Sequence, residues 1–143
     1  MRPPDDVVLL GLARTVVGIS VRAADGLGRL SLVQLRALTV LREQGGANLG
    51  QLAAGMGVTV STASRLVDRL VAAGLVDREP SPRSRREVSL GVTAQGADLL
   101  DRNDDLRLAE LRSLLDRLPS GRRREVLDAV EEFAVGPAPS ALP

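Results

Sequence analysis

At 143 residues, with 44% hydrophobic and 26% charged side chains, the chain has the size and composition of one globular domain with a real core. It contains no Cys, His, Trp, Tyr or Lys and a single aromatic, Phe133, so all 19 positive side chains are Arg. These absences exclude disulfides, thiol redox chemistry, thiolate or imidazole metal sites and a histidine general base, and no enzyme, metal or cofactor is expected.

In chain order, Val7 to Ala13 is apolar but short, and it follows Asp5 and Asp6 where a secretory signal wants positive charge. No uninterrupted apolar run approaches the ~18 residues of a membrane span, which predicts a cytoplasmic chain with no membrane partner. Arg2–Pro4 reads as a short lead and Asp5 as an N-cap. Residues 6–24 then form a helix in which Val7, Leu10, Val17 and Val21 recur at helical spacing. The segment Val7–Val21 is apolar nearly all round, which predicts burial against a partner chain.

After a break at Gly26–Gly28, Ser31 caps a helix carrying Leu32, Leu35, Leu38 and Leu41, and Gly45 and Gly46 end it. Asn48 caps a short helix over Leu49–Gly55, with Leu52 and Ala53 inward. Gly57 makes a tight turn, and Thr59 caps a helix to about Ala73 in which Ala63, Leu66, Val67 and Leu70 share one face. Gly74 stands as its C-cap. Leu75–Arg78 and Glu87–Val92 alternate like two strands, joined by Glu79–Arg86, a hairpin with a basic tip stiffened by Pro80 and Pro82. Thr93 caps a long helix to Leu118, with Ala97, Leu100, Leu108, Leu111, Leu115 and Leu118 on a stripe that Asp104 interrupts. Pro119 stops it, and Ser120 caps a last helix to about Val135 with Val126, Leu127, Val130 and Phe133 inward. Gly136–Pro143 reads as a disordered tail.

Charge is unevenly spread although the net value is only +1. Residues 59–92 hold six Arg against four acids, and residues 93–143 hold seven Arg against ten acids. A basic middle can meet phosphate while the acidic end faces away. The middle is also where a short helix, a glycine turn, a second helix and a hairpin follow one another, the order of a winged helix-turn-helix. The second helix of such a motif enters the major groove, and on its outer side stand Ser61, Thr62, Ser64, Arg65, Asp68 and Arg69. Ser61 and Thr62 are short and let the backbone come close. Arg65 can fork to a guanine or a phosphate, and Arg69, deeper along the helix, fits a phosphate. Arg83, Arg85 and Arg86 on the hairpin suit a narrow minor groove. The plainer alternatives are surface polarity for the hydroxyls, an ion pair with Asp68 for Arg65, and solvated loop charge for the hairpin. Arg122-Arg123-Arg124 and the acids Asp101, Asp104 and Asp105 read as solvated helix surface.

From about Ser31 to Gly96 these motifs resemble the MarR family of bacterial regulators. The residues that carry the likeness are Ser31-Leu32-Val33-Gln34 with Leu38, Gln51-Leu52-Ala53 with Met56-Gly57-Val58, Ser61–Leu70 with Gly74-Leu75-Val76, and Arg78, Arg85-Arg86, Val92-Thr93 and Gly96. The wing departs from the family pattern, with Ser81 and Ser84 where acids are usual, and so reads as more positive and less restrained. Branches that sense oxidants or zinc need Cys or His, which this chain lacks. The resemblance implies one mainly α domain over 1–143 with a small β-hairpin wing. Its DNA-binding lobe would be 31–92, its dimerisation helices 5–24 and 93–135. It further implies a homodimer on a pseudo-palindromic double-stranded operator, acting as a transcriptional repressor that a small-molecule effector releases. A structural ion pair between Asp68 and Arg86 would orient the wing. The alternative is a winged-helix module that docks on protein and binds no DNA.

Overall fold

Side-chain caps set the helix boundaries in the middle of the chain. The computed structural model describes residues 1–81 and 83–135, with Arg85 followed through its backbone only; the tail expected over Gly136–Pro143 and the stiffening role of Pro82 lie outside the described residues. Ser31 and Asn48 each accept from the backbone N–H three residues on, at 3.2 Å from Gln34 and 2.8 Å from Gln51. The side chains of Gln34 and Gln51 reach back to the cap N–H, closing two capping boxes. They start helices α2 (Leu32–Gln44) and α3 (Leu49–Met56). Gly57, at φ 69°, makes the turn in a left-handed conformation that a side chain would strain. Thr59 then caps α4 (Val60–Ala72) by accepting from the Thr62 N–H at 3.1 Å.

Helix α1 is longer than the spacing suggests, running Pro4–Leu27. Asp5 is not its cap. Pro4 occupies the first helical position, where its fixed φ favours a start, and Asp5 and Asp6 lie in the first turn beside the positive end of the dipole. The buried side is Ile19, Ala23 and Ala24, while Val7, Val17 and Val21 are exposed. By length and composition α1 could cross a membrane, with a mean hydropathy of 1.7. Its valines, leucines, alanines and isoleucine carry that mean, and Arg14 breaks the continuity of the apolar run.

Strands β1 (Val76–Ser81) and β2 (Ser84–Val92) form an antiparallel hairpin, longer than expected, so Arg85 and Arg86 sit in β2 and, of the three arginines, Arg83 alone lies between the strands. The register runs from Val76 opposite Val92 to Pro80 opposite Val88, then shifts to set Ser81 opposite Ser84. A two-bond bridge between Ala47 and Leu90, at 3.1 and 2.7 Å, ties the α2–α3 link to the hairpin. Thr93 caps α5 (Ala94–Leu115), accepting from Gly96 N–H at 3.0 Å, and α5 stops three residues before Leu118. A side chain at Gly96 would collide with the Leu75 carbonyl, so the helix can leave the hairpin this closely only from a glycine. The last helix, α6 (Ser120–Ala134), has Pro119 at its cap position with no side-chain bond; Ser120 is inside the helix.

The chain divides into two compact units after Arg107, a boundary inside α5. The first has a continuous core in which Leu38, Leu41, Leu52, Leu70, Leu75 and Leu100 are fully buried. The second buries no side chain of α6: Val126 is half-buried, and Leu127, Val130 and Phe133, expected inward, are exposed.

Candidate nucleic-acid interface

Helix α4 turns Ala63, Leu66, Val67 and Leu70 into the core, and that fixes what faces out. At steps of four, Ser61, Arg65 and Arg69 form one exposed row, and Val60, Ser64 and Asp68 form the row beside it. Thr62 is half-buried beside its cap, where the Thr59 hydroxyl donates to the Thr62 hydroxyl at 3.0 Å. Among the described residues neither Arg65 nor Arg69 has a carboxylate partner. Their guanidinium groups therefore stand ready for acceptors from outside the chain, and the alternative of an Arg65–Asp68 pair does not hold.

Asp68 pairs with Arg78 of β1, not with Arg86. The reason is distance along the ribbon. Arg78 lies two residues after buried Val76 and opposite Leu90, close to α4, whereas Arg86 sits four residues further out on β2. At ~3.3 Å per residue that sets Arg86 roughly 13 Å further along the ribbon than the Arg78 that meets the carboxylate. The wing thus keeps Arg83 and Arg86 exposed and uncommitted among the described residues; the side chain of Arg85 lies outside them. Ser81 and Ser84 do more than omit a charge. Their hydroxyls accept from the backbone N–H groups of Arg83 and Arg86, each at 3.2 Å, and so restrain the tip that was expected to be looser.

Two further features stand outside the winged motif. Asp101 and Asp104 are not merely solvated: they hold Arg42 of α2 at 2.9 and 2.8 Å, and Arg107 approaches Asp104 at 3.5 Å. The Asp104 hydrogen bond, outweighing partial burial, raises the Arg42 pKa above its usual value. Beside this cluster, within the first unit, α1, α2 and α5 line an open cavity of about 370 Å³. Val16, Val17, Leu32 and Leu35 line it with Arg36, Arg107 and Asn103. Asn103 is 5% exposed and its Oδ1 has no hydrogen-bond partner among the described residues. Buried amides are rarely left so, and the cost is about 1–3 kcal/mol. The signal was present: Asn103 continues the inward spacing of Leu99 and Leu100 on α5. In the second unit, Arg122, Arg123 and Arg124 are engaged locally by Glu125, Asp116 and Asp128.

Known proteins share this architecture. The family model described as "MarR family" matches residues 30–88. An uncharacterized HTH-type transcriptional regulator of Mycobacterium leprae is 39% identical over 71 residues, 50% of each chain. An uncharacterized HTH-type transcriptional regulator of Mycobacterium bovis is 35% identical over 96 residues, 67% of this chain and 65% of that one. The matched stretches thus span half to just under two thirds of those relatives. The crystal structure of the RV1404 protein from Mycobacterium tuberculosis superposes with a TM-score of 0.83 at 31% identity, covering 95% of each chain.

Proposed function

The chain belongs to the MarR family, and from that premise we propose that it is a sequence-specific double-stranded DNA-binding transcriptional regulator, a repressor acting in the bacterial cytoplasm without any catalytic step. The observation that carries this reading is the exposed row Ser61, Arg65 and Arg69 on α4, unpaired with any carboxylate among the described residues and followed by a ribbon bearing Arg83 and Arg86. Arginine at such a row forks to guanine or phosphate, and the hydroxyls Ser61, Thr62 and Ser64 allow close approach of the helix. Arg83, Arg85 and Arg86 follow the adjacent minor groove, where narrow A·T-rich stretches attract guanidinium groups.

The functional unit is a homodimer. Exposed Val7, Val8, Leu12 and Val16 on α1, and separately Leu127, Val130 and Phe133 on α6, support that reading, because such apolar faces need cover in water. A two-fold dimer sets its recognition helices about 34 Å apart on successive major-groove faces, so the operator is a pseudo-palindrome. Bound there, the dimer blocks polymerase. A small-molecule effector occupies the α1–α2–α5 cavity, offers a hydrogen-bond donor to Asn103 Oδ1, and releases the DNA by favouring another spacing of the lobes.

Selection of bound duplexes from genomic fragments, followed by a salt titration on the selected site, tests the reading. A dimer making 6–10 phosphate contacts loses about 10³-fold or more in affinity between ~50 and ~200 mM salt. Binding that is flat across that range, or footprints without two-fold symmetry, would hand the fold to protein docking instead.

A further inference from the structure

Among the exposed positions of α4, Val60 carries the one large apolar side chain, which the hydroxyl-and-arginine pattern does not explain. It occupies the first helical position directly after the Thr59 cap and is 53% exposed. Its neighbour Val58 packs partly buried against the core, and Val60 does not. A single exposed valine means little by itself. Its place is what gives it meaning. Val60 leads the row Val60, Ser64 and Asp68, parallel to Ser61, Arg65 and Arg69, and helical side chains lean toward the N-terminus, so its methyl groups project from the advancing end of the helix. Asp68, the last member of that row, is held by Arg78. The row therefore offers a duplex one apolar group and one hydroxyl.

Each base pair in the major groove displays donors and acceptors, and only thymine displays an apolar group there, its C5 methyl. We infer that Val60 is a specificity residue that contacts a thymine methyl in each operator half-site, beside the base edge met by Ser64. This rests on the DNA-binding reading above. Methyl on methyl excludes water from both, and a cytosine or adenine at that position leaves a polar edge facing a valine that cannot pair with it.

The test uses the full chain and a duplex it selects from a random pool, with each thymine of one half-site replaced in turn by deoxyuridine, which lacks only the methyl. For the unaltered protein, one position per half-site loses affinity by about fourfold, the weight of one buried methyl. Val60→Ala abolishes the loss at that position, keeps any losses elsewhere, and binds random duplex as tightly as before. Because alanine is the better helix former, the variant is expected to fold, and its melting curve checks this. The inference is overturned if Val60→Ala stays sensitive to the same deoxyuridine, if no position matters to the unaltered protein on a selected operator, or if the variant weakens equally on all DNA. Failure to retain any duplex overturns the DNA-binding reading itself, a separate result.

Discussion

The two units of this chain use leucine in opposite ways. From α2 to the start of α5, leucines at helical spacing meet one another, and Leu38, Leu41, Leu52, Leu70, Leu75 and Leu100 are shielded from water completely. In α6 the spacing is equally regular, yet Leu127 and Val130 remain 40% and 44% exposed and Phe133, the one aromatic, 69%. The same pattern therefore encodes two things: a core the chain completes by itself, and an apolar surface that it leaves exposed. Periodicity reports that a face is apolar and says nothing of whose atoms will cover it.

Substitutions separate the two kinds of face. Leu38→Ala, in the self-made core, should cost about 2–5 kcal/mol of unfolding free energy at every protein concentration, read from denaturant midpoints. Leu127→Asp should leave the first unit's melting intact and instead raise the dimer dissociation constant about 100-fold or more, about 2.7 kcal/mol, measured by sedimentation. A concentration-independent loss for Leu127→Asp, with no change in association, would make α6 part of an ordinary core and remove the distinction. The cavity belongs to the first unit alone. Asn103→Leu removes a buried amide whose oxygen has no partner, and should stabilise the chain by about 1 kcal/mol in thermal melts while making DNA affinity indifferent to any effector. Destabilisation instead would mean that the amide is satisfied in solution and the cavity is not a ligand site.

The sequence made the winged helix-turn-helix legible because each of its boundaries has a local chemical cause. Ser31, Asn48 and Thr59 cap as their side chains dictate, Gly57 turns as only glycine readily does, and the inward residues of α4 follow from spacing alone. What stayed hidden depends on contacts distant in sequence. Whether Asp68 meets Arg78 or Arg86 is decided by hairpin register, and the strands outran the segments that alternate, so the ribbon length and the partner were both missed. The Arg42 clamp joins residues 59 and 62 positions apart, beyond the reach of any local pattern. The start of α1 was misplaced for a different reason: a carboxylate near a helix end suits both a cap and a first turn, and Pro4 chose the second.

The smallest effect sharpens the wing. Arg78 and Asp68 are 44% and 62% exposed, so their ion pair should be worth only about 0–1 kcal/mol of stability. Its larger consequence is electrostatic: without Arg78, an unneutralised carboxylate stands on the exposed side of α4, one turn from Ser64. Arg78→Ala is thus expected to lower the melting temperature by a degree or two and to weaken DNA binding more than that change explains. Arg86→Ala should leave melting unchanged and reduce the steepness of log affinity against log salt by about one contact. Scanning calorimetry and salt titration on the two variants decide the matter. If Arg86→Ala lowers the melting temperature and Arg78→Ala does not, the wing is held through its outer strand after all, and the exposed Arg86 is a strut and no DNA contact.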